Sequence, residues 1–528
     1  MAHEQLTDQP APAQSTIFDG TMYDLGWDGQ RDVAAPDNLV LPSVDYAIYL
    51  INAVKFHCGQ MFHMFDEATF MPQFTDFHGA NPDLTKSRGL WFVHFLIILA
   101  FGKVFVARRN DGRTPLGGEY FVHAMKLMPD ITFLYTQPVQ AVEVLCCKAL
   151  YLHCLDFRSA AHNVIGQALR IALEEGMHTN MQAQGLDEEY IQRCRNAWWT
   201  VYILDRQMSS TMGVPLAIRD EDISAPLPTF SGSPQKGLAL ELNVKLSRII
   251  SQILNTVYGM EGRLYRKFIS STNAALKAIA GVTDQLNRSF DLPSNGSAAG
   301  ISRVSAHLQL LHHQQCVVLA TRPLLFSLFK KGLDKPGDVH SLVTSPGSVR
   351  TLLQMCIESS QHIIAVLEKL KEQNLLESFL PFDSEAVFAA SMALLLAPYV
   401  NRELLATQFP WLGMAYSILD ELTIQGHIQA AARKTELQQL QQVLIQLPTR
   451  EVNALEHRHE GEAGQHEDLS MANLGGSEGI DMSNSDFVDD AIWRTAFTAD
   501  QLMAVANTLD LDGIEWMTTG SETEMYSI

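Results

Sequence analysis

The chain has 528 residues, of which 47% are apolar, and a formal net charge of −21; that is too long for one compact core, so flanking segments or several helical subdomains are expected. The charge sits at the ends: residues 1–40 hold seven acidic residues against one basic, residues 451–528 hold seventeen against two, and the stretch between them is neutral. A neutral globule with acidic ends has no bulk electrostatic grip on a phosphate backbone, so DNA contact needs a separate basic module.

The N-terminus, MAHEQLTDQPAPAQS, has neither a basic n-region nor an apolar h-region, and no signal peptide is expected. Residues 1–40 are rich in Pro, Gln, Asp and Gly without periodicity and read as a disordered acidic segment. From Leu41 the pattern turns helical and stays so, which makes the fold class all-α and disfavours a doubly wound α/β fold. Breaks rich in Gly, Pro, Ser and Asn fall at 78–83, 108–118, 228–237, 290–300 and 330–338, as helix connections should. The apolar runs WFVHFLIILAFG (91–102) and AVFAASMALLLAPYV (386–400) fall short of the ~20 residues that span a bilayer, so no membrane is expected and both read as buried helices. The seven scattered cysteines, mostly in apolar runs, read as buried thiols of a reducing compartment.

Two central helices can be argued in detail. In FRSAAHNVIGQALRIALEEGMHTN (157–180), Ser159 is a candidate N-cap, an apolar stripe runs through Val164, Ala168, Ile171 and Ala172, and Gly176 fits a left-handed C-terminal stop. In the next, Asp187 caps a helix whose first turn carries Glu188 and Glu189, favourable at the positive end of the dipole. Its stripe runs from Tyr190 through Cys194, Ala197, Trp198, Val201, Leu204 and Met208 to Met212, and Gly213 and Pro215 end it. Asp205 and Arg206 lie near that stripe and read as a structural pair that fixes helix packing. A late helix at 427–447 sets Leu437, Leu440, Leu444 and Leu447 on a narrow stripe, which packing on the domain explains best.

Catalytic and metal signatures are weak. His57, Cys58 and His63, the pair His312–His313, and His457, His459 and His466 approach metal spacing without forming a recognised ligand set, so no metal or other cofactor is expected. GGSEG (475–479) matches a nucleophile elbow literally but lacks the strand and helix that would strain the serine. The carboxylates of RDED (219–222) and DEE (187–189) are the only ones that suggest a magnesium-dependent helical enzyme. A helix N-terminus explains DEE, and a solvated loop or local charge pairing explains RDED.

Taken together, QALRIALEEGMHTN (167–180), RCRNAWWTVYILDRQMSSTMGVPLAIRDEDISAPLP (193–228) and LHHQQCVVLATRPLLF (311–326) resemble the middle homology region of fungal zinc-cluster transcription factors. The pieces carrying the resemblance are Gly176 with His178, Arg193 through Trp198 and Trp199, Asp205–Arg206, and Gly213 with Pro215; the segment 54–74 is similar to the family's domain start. The similarity covers about residues 41–450. It implies an all-α regulatory domain, nuclear location and control of transcription without catalysis, and it suggests a biosynthetic or metabolic gene cluster as the target. The family also carries a six-cysteine zinc cluster and a basic linker, whereas the first 57 residues here hold no cysteine and two basic residues, Arg31 and Lys55. DNA contact is therefore expected only indirectly, through a DNA-binding partner or homodimer, or through a module missing from this chain.

Residues 451–528 read as a largely disordered acidic activation segment. SDFVDDAIW (485–493) and LDLDGIEW (509–516) interleave carboxylates with Phe487, Trp493 and Trp516, the composition of a segment that folds on a coactivator or the transcription machinery. A metabolite-sensing helical domain that acts on other regulators is the alternative reading, its pocket lined by Met and Phe.

Overall fold

The apolar periods run mostly at three and four residues, and helices form accordingly. The computed structural model describes residues 39–79, 89–106, 114–258, 267–290, 292, 301–334, 339, 343, 347–405, 410–459 and 497–508, and among these there is no β-strand. Residues 1–38, Phe487, Trp493, Trp516, His466 and the GGSEG run lie outside the described residues.

Among the described residues, seven helices of more than one turn build a first core: α1 (Val44–His57), α2 (Glu67–Phe77), α3 (Leu90–Val106), α4 (Gly118–Leu127), α5 (Pro138–Cys154), α6 (Arg158–Glu174) and α7 (Glu188–Met212). At its centre, α3 is buried from Leu90 through Gly102 on every face, as a helix apolar all round must be. The segment at 54–74 delivers Phe70 and Phe74 onto α3, where they meet Trp91 and Phe95 with ring centroids 5.8 and 5.6 Å apart. Asp66 starts α2 by accepting from the Thr69 amide at 3.0 Å. Helix α1 crosses α3 where Gly102 has no side chain, and a Cβ there would stand 2.6 Å from both the Leu50 carbonyl oxygen and its Cβ.

A second core forms from α8 (Pro234–Thr256), α9 (Lys267–Ser289), α10 (Arg303–Leu310), α11 (Leu319–Asp334), α12 (Ser348–Glu372), α13 (Phe382–Val400), α14 (Trp411–Ile424) and α15 (Ile428–His459). A π-helical stretch, Leu311–Val318, joins α10 to α11 and buries His312 and His313. Helix α13 is long and apolar enough to cross a membrane, yet it is the inner helix of this core, packed against α11, α12, α14 and α15. Phe379 and Leu380 ahead of it, Phe382 at its first position and Val244 of α8 belong to the first core, so elements of the second half reach into it.

Three details depart from the sequence reading. Helix α6 begins at Arg158 with Phe157 at its cap and no side-chain cap bond; Arg158 instead donates to Asp156 at 2.7 Å, so Ser159 lies inside the helix. The late helix buries Leu437, Leu440 and Leu444 on the domain as its stripe requires, but its backbone continues to His459, past residue 450. Within 451–528, residues 497–508 are described beyond the end of α15, and there Ala499–Thr508 forms α16, packed on α9.

Candidate functional site

Helix α7 is buried along nearly its whole second half, Ala197 to Ser210, because three neighbours close over it. Helix α5 covers one side, α6 another and α8 a third. Trp198 and Trp199 are both fully buried. The chain then reverses at Gly213, whose φ of 65° suits a residue without a Cβ, and the Val214 amide bonds back to the Ser209 carbonyl at 3.2 Å. Gly176 ends α6 in the same way, with φ of 74° and the Met177 amide on the Ala172 carbonyl at 3.0 Å.

The motif residues converge on one object, the strap at 214–229. The His178 carbonyl accepts from the Ser224 and Ala225 amides, both at 2.9 Å. The Trp199 indole donates to the Pro226 carbonyl at 3.0 Å, while the His178 ring lies 5.8 Å from that of Trp198. Gln192 accepts from the Thr229 amide at 3.0 Å. Arg206 holds the near end: its Nη2 donates to the Ile218 carbonyl at 2.8 Å and to Asp220 at 3.2 Å. Its Nη1 donates to Asp205 at 2.9 Å and its Nε to Ser251 of α8 at 3.2 Å, while the guanidinium lies 4.1 Å from the Tyr202 ring centre. Only arginine offers that many donors in one rigid plane. Tyr202 completes the set by donating to Asp220 at 2.7 Å.

Charge in this cluster is tightly held. Burial raises the Asp205 carboxyl above its ordinary value, and the Arg206 charge works against that rise. Burial also pushes Tyr202 up, opposed by Arg206, so it remains a neutral donor. Asp220, the first acid of the RDED run, is spoken for by Tyr202 and Arg206, which is local charge pairing rather than a free metal-facing carboxylate. Among the described residues, no group of three or more His, Cys, Asp or Glu side chains could hold a metal ion.

A second charge cluster lies at the other end of α7. Arg193 donates to Glu143 of α5 through Nε at 2.9 Å and Nη2 at 2.6 Å, and His63 bonds the same carboxylate at 2.9 Å. Burial alone would raise Glu143, but the hydrogen bonds from Arg193 and His63 override it and hold the carboxyl at about 2. The sequence did carry a signal for this site: Glu143 is the lone carboxylate of the apolar run PVQAVEVLCCKALYL, and such an acid must be paired when buried. It could not name the partner.

Outside the strap's near end opens a cleft of about 730 Å³, walled by Pro215, Leu216 and Ile218 on one side and by α8 on the other. Ser251, Gln252 and Asn255 face it with polar groups, and Arg219 and Arg248 stand at it. Arg248 lies 5.8 Å from the Trp199 ring centre, and among the described residues neither arginine is in an ion pair. The volume falls in the range of small-molecule sites.

Residues 48–290 match the family model of the fungal specific transcription factor domain. Among curated proteins, the chain is 22% identical over 370 residues to an uncharacterized transcriptional regulatory protein of Schizosaccharomyces pombe, a match covering 68% of this chain and 45% of that protein. It is 23% identical over 315 residues to the thiamine repressible genes regulatory protein thi1 of the same yeast, covering 57% of this chain and 39% of that protein. Activator of stress genes 1 of Saccharomyces cerevisiae is 23% identical over 199 residues, covering 36% and 20%. The chain thus spans less than half the length of the curated relatives it matches. No solved structure matches it.

Proposed function

We propose that this chain, whose residues 48–290 form a fungal specific transcription factor domain, regulates transcription of a metabolic or biosynthetic gene set from the nucleus. The domain match carries the reading, and the regulatory names of the relatives support it. The domain works without catalysis: its signature residues hold the strap and one another. DNA contact comes through a partner or through a module beyond these residues, since the neutral middle has no electrostatic footprint for a duplex. The acidic C-terminal segment recruits coactivator through Phe487, Trp493 and Trp516, apolar residues interleaved in sequence with carboxylates. Residues 451–528 fused to a foreign DNA-binding module test this. Reporter output that falls when Trp493 and Trp516 become alanine supports it; no output, or output indifferent to those changes, defeats it.

The cleft favours a second role for the same domain, as a sensor of a small metabolite. Its size, its polar floor and its two arginines suit a molecule with an apolar body and an anionic group. Thermal shift of the full chain across a panel of carboxylate and phosphate metabolites checks this. A stabilisation lost in Arg248→Ala supports the sensor, and a flat panel counts against it.

A further inference from the structure

The far end of the strap runs into an open turn. Residues Ser231 to Gln235 are all exposed, and Gly232 makes the bend with φ of 77°, where an added Cβ would meet nothing within 4 Å. Ser233 is the N-cap of α8, yet its hydroxyl makes no cap bond to the helix, and Pro234 follows it in the first helical turn. Few backbone bonds secure this turn. The Ser233 amide donates to the Phe230 carbonyl at 3.2 Å, and the Ser233 carbonyl is shared by the Lys236 and Gly237 amides at 3.1 and 3.4 Å. Pro234 has no amide to add. Positive charge gathers beside the turn. The Lys236 ammonium lies 4.9 Å from the Phe230 ring centre and, among the described residues, is in no ion pair. Burial lowers the Lys236 amine below its ordinary value, and the charge of Lys55 on α1 lowers it further, against the pull of Glu67. Lys55 and Glu67 are themselves paired at 2.7 Å.

We propose that Ser233 is a phosphorylation site for a proline-directed protein kinase, and that the phosphate fastens the far end of the strap to α8. The stretch Ser233-Pro234-Gln235-Lys236 offers such a kinase a hydroxyl, a proline directly after it and a cation three residues on. The described residues hold one other Ser/Thr-Pro pair, Thr114–Pro115, whose proline is buried and whose third residue on is Gly117. Among the described residues, Ser233 therefore stands alone in joining an exposed hydroxyl, an exposed proline and a basic residue. In the transfer, Ser233 Oγ forms a bond to the γ-phosphorus of ATP, the bond from that phosphorus to the ADP oxygen breaks, and the hydroxyl proton leaves to the kinase's general base. The phosphate then stands at the positive end of α8, within reach of the Gln235 and Lys236 amides. The Lys236 ammonium reaches it too, because the side chains of an N-cap and of the third helical residue face each other at a helix start. Phe230, beneath that ammonium, directly follows Thr229, whose amide Gln192 of α7 already holds. A tighter first turn of α8 is therefore a tighter strap.

The test treats the folded full chain with ATP and a proline-directed kinase that prefers a basic residue at the third position. Peptide mass spectrometry should find phosphate on Ser233, lost from Ser233→Ala and from Pro234→Ala. Ser233 is exposed, so Ser233→Ala should keep the thermal midpoint of the unmodified chain. Hydrogen exchange at 235–238 should slow about two- to fivefold on modification, the scale of an anion at a helix N-terminus, and by less in Lys236→Met. No phosphate on Ser233, or phosphate placed there only after the chain is denatured, would overturn the site. Phosphate on Ser233 with exchange at 235–238 unchanged or faster would overturn the fastening. Slowing undiminished in Lys236→Met would overturn the part given to that lysine.

Discussion

Replacing Arg206 by methionine is the sharpest perturbation of the strap. The change keeps much of the side chain's apolar bulk and deletes the guanidinium, so Asp205, 2% exposed, loses its partner in the core. The Ile218 carbonyl and Ser251 lose their bonds at the same stroke. Removing one member of a buried pair costs about 3–5 kcal/mol, because the remaining charge is stranded without solvent. Asp205→Asn with Arg206 intact should cost about 1–2 kcal/mol, since the guanidinium keeps Asp220, Ile218 and Ser251. The double variant should then cost less than the sum, as nothing charged is left behind. Urea midpoints of the four proteins give the cycle. The pH dependence adds a signature: Asp205 is already raised in the fold, and without Arg206 it rises further. A carboxyl raised on folding contributes stability below its unfolded pKa of about 3.9 and loses it as pH climbs through the folded value, so the Arg206→Met deficit should shrink toward acid pH. Strictly additive costs, or a deficit indifferent to pH, would refute the claim that Arg206 neutralises a buried charge.

Three further outcomes follow from the geometry. Glu143 is held at about 2, against 4.5 for a free glutamate, so it contributes stability above the unfolded value that is lost as pH falls toward 2; the amount is about 3 kcal/mol, and urea midpoints of the native chain should fall more steeply from pH 5 to 3 than those of Glu143→Gln. Gly102→Ala drives a methyl into the Leu50 backbone at 2.6 Å and should cost about 1–3 kcal/mol or more by overpacking, read as a lowered thermal midpoint. Gly176→Ala meets ordinary space but must hold φ at 74°, a strain of about 1–2 kcal/mol, and the same measurement should find Gly176→Asn milder.

What the sequence could say was local. The stripe of α7, its stop at Gly213 and the turn at Gly176 were legible because periodicity and left-handed glycines act within a few residues. The burial of α3 and of α13 was legible from their unbroken apolar runs. Ser159 misled because a cap is chosen by where the preceding chain enters, and here Asp156 with Arg158 sets that entry. The pairings beyond one turn were not legible: Arg206 meets Asp220 fourteen residues on, Arg193 meets Glu143 fifty residues back, and Asn273 meets Ala506 at a separation of 233. Tertiary packing alone decides which polar groups come together at such distances. Charge asymmetry marked 451–528 as one unit, but net acidity hid the short apolar stripe at Leu502 and Ala506 that docks.

The proposed role has this chain regulate transcription through its acidic end. The most direct measurement joins the full chain to a foreign DNA-binding module and counts reporter transcripts. Output above the module alone, lost when Trp493 and Trp516 are alanine, is the expected result. Output no higher than the module alone in every one of these forms would contradict it.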